Sequence, residues 1–268
     1  MFKVTMFKTL SLALLTITMT AAMALSQTAD VQIIHNSPDP AAAEVDIYVN
    51  SELALDDFAF RAATPVLELP AEVELVIGVA PGTSAGPEDI IANFPVTLPS
   101  GGRFVVMAAG VLDPMLPTNP EGVDTSFNLY INQLETMAPA GEVGLLAFHG
   151  APDAPTVDIL AVGVGPLFTS LQFNDFQGYL NVPENNYTLN ITPAGMPNVI
   201  VASFAANLTG LGGAAAVVFA SGFLTTPLAL EAFGLYAALP DGSVVQLPPT
   251  SVPTQNASWG SVKNLYND

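Results

Sequence analysis

The stretch HNSPDPAAAEVDIYVN, residues 35–50, decides how the chain folds, because the chain contains it twice. The second copy, HGAPDAPTVDILAV, occupies residues 149–162. Each copy places a histidine ahead of a Pro-Asp pair and then enters an apolar segment, which in VDIYV alternates with a period of two. Such alternation is typical of a half-buried β-strand. Since the chain has 2 histidines and both begin this phrase, we interpret it as part of a duplicated domain.

The duplication extends beyond the phrase. A self-comparison near the shift of 114 residues that separates His35 from His149 aligns six further segments in the same order. We therefore predict two similar domains, residues 30–137 and 142–247, joined by a short linker within residues 136–144. The aligned segments are DDFAF with NDFQG (56–60, 174–178), LELP with LNVP (67–70, 180–183), ELVIGVAPG with YTLNITPAG (74–82, 187–195), IIANFPVTL with IVASFAANL (90–98, 200–208), GGRFVVMAAGVL with GGAAAVVFASGFL (101–112, 212–224) and FNLY with FGLY (127–130, 233–236).

The pattern within each repeat predicts the fold class. Short runs rich in Val, Ile, Leu, Phe and Tyr alternate with clusters of Pro, Gly, Asn and Asp, and helical periodicity is nearly absent before the tail. We predict an all-β protein of two tandem immunoglobulin-like antiparallel β-sandwiches. RFVVMAAGVL (103–112) and AAVVFASGFL (215–224) are apolar at nearly every position. This predicts central strands covered on both faces, where the domains meet.

The N-terminal segment predicts export. Residues 1–24 combine two lysines, an apolar stretch from Leu10 to Met23 and small residues suited to cleavage. Because this stretch is shorter than the ~20 residues that span a bilayer, we predict a cleaved signal peptide and no membrane span in the mature protein. The mature chain would begin near Leu25 or Gln27, and its location would be extracellular, cell-surface or periplasmic.

Charge and cysteine content exclude several classes of function. The formal charge is −19 and becomes −21 once Lys3 and Lys8 are removed, so that Arg61, Arg103 and Lys263 are the remaining Lys and Arg residues. Such a surface repels phosphate backbones, which excludes nucleic-acid binding. The absence of cysteine excludes disulfides, thiolate metal sites and thiol nucleophiles.

The C-terminal segment, residues 248–268, differs from the repeats. It begins as a Pro/Ser/Thr-rich tether and ends in a short amphipathic segment. The apolar residues of that segment are Trp259, Val262, Leu265 and Tyr266. Two interpretations stay open, an end that packs on the second domain and a segment that a sorting or docking partner recognises.

The repeated residues resemble the DUF4397 family of bacterial and archaeal extracytoplasmic domains of unknown function. The resemblance rests on HNSPDPAAAEVDIYVN, DDFAF and LELPAEVELVIGVAPG in the first repeat, and on HGAPDAPTVDI and LNVPENNYTLNITPAG in the second. It covers residues 31–247, and the first repeat departs from the family's His-x-x-Pro-Asp-x-Pro-x-Val-Asp phrase by its longer DPAAAEVD spacing. The resemblance implies a secreted or surface-displayed β-sandwich, often in tandem, and supplies no catalytic residues.

One histidine and two aspartates per repeat form a candidate metal site. A structural role explains the same residues, because the aspartates can cap turns and the imidazole can bond an aspartate or a backbone carbonyl. We favour the structural role and predict no catalytic residues and no cofactor, with calcium as the alternative. The six candidates are His35, Asp39, Asp46, His149, Asp153 and Asp158.

We interpret the protein as a non-enzymatic secreted or cell-envelope module for adhesion, spacing or ligand binding, with an envelope protein or a glycan as its partner. The alternative is a carbohydrate-binding module that stacks sugars on exposed aromatic rings; a metal-dependent binding protein follows, and an enzyme of unrecognised type comes last. Side-chain exposure distinguishes the first two interpretations. The candidate stacking residues are Tyr48, Tyr130, Tyr179 and Tyr187.

Overall fold

The structure is a computed structural model that describes residues 27–225 and 230–251. The predicted signal peptide and the Trp259–Tyr266 segment lie outside these residues. Over the described ranges the chain forms 17 β-strands and two 3₁₀ turns, Pro40–Ala42 and Pro87–Asp89. This confirms the prediction of an all-β protein with two sandwiches. In those same ranges we find no helix of the length and apolarity that crossing a bilayer requires.

The first unit consists of two four-stranded sheets. We call β3-β2-β5-β6 its outer sheet and β4-β1-β7-β8 its inner sheet. The hairpin between β2 and β3 turns at Asn50 and Ser51, whose φ angles of 52° and 68° match the type I′ turns that join twisted antiparallel strands. The strands are β1 (Thr28–Asn36), β2 (Glu44–Val49), β3 (Glu52–Ala59), β4 (Leu67–Pro70), β5 (Glu74–Pro81), β6 (Ala92–Thr97), β7 (Arg103–Ala109) and β8 (Asn128–Gln133).

The second unit repeats this topology and adds one strand. Its outer sheet has the order β11-β10-β13-β14, and its inner sheet has the order β12-β9-β15-β16-β17. The additional strand, β17, extends the inner sheet at its edge. The strands are β9 (Glu142–His149), β10 (Val157–Ala161), β11 (Gly165–Leu171), β12 (Phe176–Pro183), β13 (Asn186–Pro193), β14 (Ala202–Asn207), β15 (Ala215–Ser221), β16 (Gly234–Ala238) and β17 (Val244–Gln246).

One strand pair in each inner sheet is parallel, and the other strand pairs are antiparallel. β1 runs parallel to β7, where His35 lies opposite Ala108, and β9 runs parallel to β15, where His149 lies opposite Ala220. Parallel neighbours need a long crossover between them, and the whole outer sheet supplies it here. Each histidine therefore stands at the end of a central strand, where the chain leaves the inner sheet for the outer one.

The two inner sheets pack against each other and bury a common set of side chains, which we call the shared layer. Its residues in β7 and β15 alternate with residues that point into each unit's own core, because successive side chains leave a strand on opposite faces. This confirms that the two continuously apolar segments are covered on both faces where the units meet. The buried members of the shared layer are Ile34, Val105, Met107, Ala109, Leu134, Leu146, Phe148, Val217, Phe219, Tyr236 and Ala238.

Polar bonds fix the relative position of the units. The buried Gln32 amide donates to the Leu239 carbonyl at 2.6 Å, and the Asn36 amide donates to the Ala220 carbonyl at 3.0 Å. Gly150, which follows His149 as Asn36 follows His35, leaves room for that amide. A Cβ at position 150 would lie 2.0 Å from Asn36 Nδ2. A glycine in one copy of the phrase thus accommodates the asparagine of the other.

The structure corrects part of the repeat alignment. Asp57 N bonds to Asp46, whereas in the second unit the N–H at the same position belongs to Ser170 and bonds to Asp158. DDFAF therefore corresponds to TSLQF, residues 169–173, and its match to NDFQG is wrong. The shared Asp-Phe letters were coincidental, because Asp57 lies at the bulge of β3 whereas Asp175 follows the turn after β11.

The shared layer predicts that the two units lose stability together. Phe148 is 1% exposed, and Phe148→Ala should lower the free energy of unfolding by about 3–5 kcal/mol by leaving a cavity. Native-state hydrogen exchange should report this loss for the amides of both β7 and β15. The exposed Leu53→Ala control should stay within about 0.5 kcal/mol. A loss confined to β15 would mean that the units unfold independently.

Candidate functional site

Both histidines are buried at the corner between an inner and an outer sheet. His35 is 0% exposed and His149 is 1% exposed. Since a carbonyl can only accept, Nε2 of each ring donates, from His35 to the Ala42 carbonyl at 2.7 Å and from His149 to the Pro155 carbonyl at 3.1 Å. Each imidazole therefore ties the end of its central strand to the segment that leads into the outer sheet.

Aromatic rings contact each imidazole, and burial determines its charge. Phe60 meets the His35 ring edge-on at 6.2 Å between centroids, and Phe173 meets His149 in the same way at the same distance. Phe58 stacks against His35 at 6.0 Å. Burial lowers the pKa of His35 to about 4 and also lowers the pKa of His149. Both rings are therefore neutral at neutral pH.

The first aspartate of each phrase binds the loop that follows the parallel strand. The carboxylate of Asp39 accepts from the backbone N–H groups of Leu112 at 2.7 Å and Asp113 at 2.9 Å, and also caps the turn at Ala41 N at 2.8 Å. Asp153 binds the corresponding loop in the second unit. Its partners are Leu224 N at 2.7 Å and Thr225 N at 2.8 Å. These contacts join the Pro-Asp turn to a loop about seventy residues further along the chain.

The second aspartate of each phrase supports a β-bulge. Asp46 Oδ1 accepts from Asp57 N at 3.0 Å, and Asp158 Oδ1 accepts from Ser170 N at 2.8 Å. Both donors have positive φ angles, 49° and 54°, and the pairing register shifts beside each of them. A left-handed backbone is unfavourable for residues with a Cβ, so the carboxylate stabilises a conformation that the sequence alone disfavours.

The other oxygen of this aspartate reaches the loop after the next strand. Asp46 Oδ2 accepts from the hydroxyl of Ser84, which also bonds Tyr48, and Asp158 Oδ2 accepts from Gly195 N at 2.9 Å. Each carboxylate is therefore bonded on both oxygens.

The structure does not bring the three candidate metal ligands of a unit together. In the described ranges, the imidazole of His35 has Ala42 O and Ser37 N as hydrogen-bond partners, and neither aspartate of its phrase is among them. The described residues contain a single group of three acidic ligands within 4.8 Å, formed by Asp46, Asp56 and Asp57. It contains one of the six candidates and no histidine.

The tyrosines considered for sugar stacking do not form an exposed platform. Tyr48 and Tyr187 are 4% and 9% exposed. Tyr130 and Tyr179 are half-buried against the shared layer, where burial raises the pKa of both phenols to about 12. None of the large hydrophobic side chains that are exposed in the described ranges is aromatic. Glycan stacking on these four residues therefore has no support in the geometry.

Arg61 connects the two units, a role that the sequence patterns did not indicate. Its guanidinium donates to Ser221 Oγ at 3.0 Å, to the Ala232 carbonyl at 2.6 Å and to the Glu231 carboxylate at 3.1 Å, all in the second unit. It also lies over the Tyr236 ring at 4.4 Å. The scarcity of cations in the mature chain was the one available signal for this role.

The comparisons with known proteins give one family. The model of the family described as "Domain of unknown function (DUF4397)" matches residues 29–133 and 144–238. The two matched regions agree with the two tandem copies inferred from the repeat. No curated protein matches the chain.

The buried histidine predicts a pH dependence of stability. Because the pKa of His35 falls from 6.5 to about 4 on folding, the unfolded state takes up its proton first as the pH drops. The stability that the neutral His35 imidazole contributes to the folded state should be complete above pH 6.5 and be lost as the pH falls toward about 4. Denaturant unfolding across this range should show a steeper loss for the wild type than for His35→Ala.

At neutral pH the same variant should lose about 1–3 kcal/mol, because the Ala42 carbonyl loses its donor. His149→Ala serves as the matched variant in the second unit, with the same expected direction. Equal pH profiles for wild type and His35→Ala would contradict a buried, neutral imidazole.

Proposed function

The chain belongs to the family described as "Domain of unknown function (DUF4397)", and on that premise we propose that it is a non-enzymatic exported protein whose two fused β-sandwiches serve as a rigid spacer or presentation module. Its partner on this proposal is another component of the cell envelope or its surroundings, a protein or a glycan. Adhesion and ligand binding are the activities that such a module would carry on its surface.

The hydrogen bonds that the repeated polar groups make within their own unit support a non-enzymatic role. A general base or nucleophile needs a free donor or acceptor aimed at a substrate. The carboxylates of Asp39, Asp46 and Asp158 instead bind backbone N–H groups or a partly buried hydroxyl within their own unit. Both imidazoles are buried and bonded to carbonyls through Nε2, and the Nδ1 of His149, which has no hydrogen-bond partner among the described residues, is closed to solvent. On this proposal, these residues stabilise the corners between the two sheets of each sandwich.

The observation that carries the proposal is the shared layer. Tandem domains that meet through small polar contacts move relative to each other by default. Here the inner sheets bury Met107 against residues such as Phe148 and Phe219, each at most 1% exposed. Arg61 adds an ion pair and carbonyl contact across the same junction. A module of this kind holds its two outer faces at a fixed separation, which is what a spacer requires.

The charge distribution supports an exported location. A surface with a net charge of −21 repels other acidic surfaces and favours solubility without disulfides. The predicted signal peptide supplies the route. Both properties suit a protein that works outside the cytoplasm.

Spin-label distances would test the rigidity. The chain has no cysteine, so the paired variants Leu53→Cys/Val162→Cys can be labelled cleanly on the exposed outer faces of the two units. We expect one narrow distance distribution, as wide as that of the control pair Leu53→Cys/Ile91→Cys within the first unit. A broad or bimodal distribution between the units would refute a rigid spacer.

Fractionation of producing cells would test export. We expect the protein outside the cytoplasm with its N-terminus near Leu25 or Gln27, as read by N-terminal sequencing. Replacing Lys3 and Lys8 by Glu should cause the uncleaved precursor to accumulate, because the signal needs a positive start. Wild-type protein that stays in the cytoplasm with Met1 in place would overturn this part of the proposal.

A further inference from the structure

We propose that the second unit binds a small neutral apolar molecule, of the size of one aromatic ring or a short alkyl chain, in a pocket between its two sheets. The pocket has a volume of about 230 Å³ and lies beside the edge strands β14 and β17. Strands of the inner sheet form one wall and strands of the outer sheet form the other. This site is distinct from the repeated His-Asp phrase and from the shared layer.

The pocket exists because the two repeats differ at equivalent positions. Phe104 pairs with Val31 as Ala216 pairs with Leu145, so a phenylalanine of the first unit is an alanine in the second. In the first unit, Phe104 packs on the core, and a cavity between the two sheets has a volume of about 30 Å³. In the second unit, the space that this ring would fill stays open.

Two further positions follow the same pattern. Val96 lies opposite Leu75, and its equivalent Ala206 lies opposite Tyr187. Ile131, which is 40% exposed on the edge strand β8, lies opposite Val106, and its equivalent Ala237 lies opposite Val218. All three alanines line the pocket. Three larger side chains are thus reduced to alanine around one space, whereas a well-packed core leaves few voids larger than a water molecule.

The lining determines the chemistry of the ligand. Among its residues, Asn207 and Gln246 alone have polar side chains, both exposed, and none has a charged side chain. Water gains too few hydrogen bonds in such a site, and an apolar cavity of ~150 Å³ stays dry and binds benzene. A neutral apolar ligand fits this lining, whereas a charged group would lose its hydration without compensation.

Backbone hydrogen bonds form the wall of the pocket before any ligand binds. After β17 the chain crosses to the edge of the outer sheet, where Ala205 N donates to Pro248 O at 2.9 Å and Thr250 N donates to Ser203 O at 2.8 Å. These bonds fix Leu247 and Pro248 as part of the rim. Because β17 has no counterpart in the first unit, this wall is specific to the second. Preformed, mostly apolar pockets of this kind are typical of small-molecule sites.

Toluene is a suitable probe for the test. We expect saturable chemical-shift changes for the methyl groups of Ala206, Ala216 and Ala237 when the full chain is titrated with toluene, together with a higher melting temperature. Ala216→Phe, which restores the residue of the first repeat, should weaken binding at least about tenfold. Ala206→Val is the milder filling variant, for use where the phenylalanine prevents folding. Ala54→Val on the exposed face of β3 is the matched control and should leave binding unchanged.

Three results would overturn the proposal. One is the absence of saturable toluene binding to the wild type, and another is unchanged binding in Ala206→Val and Ala216→Phe. The third is binding that occurs in Trp259→Ala and not in the wild type, because the C-terminal segment would then be the occupant. Saturable binding to the wild type that the filling variants abolish would support it.

Discussion

The burial of one inner sheet against the other is the constraint on which the rest of the structure depends. Without disulfides, the stability of the chain comes mainly from apolar area removed from water. A sheet with apolar side chains on both faces cannot satisfy this within one sandwich, so Val105 and Met107 need Val217 and Phe219 of the other unit. The duplication and the fusion of the units are therefore linked.

The polar residues of the repeated phrase also hold the sheets together. In each unit the histidine, the Pro-Asp turn and the strand aspartate connect one sheet to a loop or to the other sheet through backbone donors and acceptors. Bonds from buried carboxylates to N–H groups are stronger than neutral ones, and their loss leaves buried donors unsatisfied. This explains why the histidine and the two aspartates occur twice at the same positions. Arg61 and Asn174 occupy equivalent positions, because the backbone N–H of each donates to the carbonyl of the histidine in its own unit. This contact does not involve the side chain, so the two residues can differ.

The sequence predicted the class of fold and the structural role of the phrase, but it could not predict which atoms the phrase would bind. His35 was expected near Asp46 or a carbonyl, and the structure selects Ala42 O because the imidazole points across the corner between the sheets. The Asp-Phe match between residues 57–58 and 175–176 was misleading, since residues 57–58 lie on β3 whereas Asp175 lies between β11 and β12. The stacking role of Tyr48 and Tyr187 also failed, because burial depends on which face of a sheet is covered.

By itself, the sequence determined that the chain is all-β and duplicated, because periodicity and self-similarity are properties of the linear chain. Tertiary structure alone decided three further features: the parallel pairing of β1 with β7, the glycine at 150 that admits Asn36, and the space at Ala216 where the first repeat has Phe104. Each of these depends on residues that are distant in the chain and meet only when the sheets have formed. Once the strand registers are known, equivalent positions of the two repeats can be identified, and they show where the two cores differ.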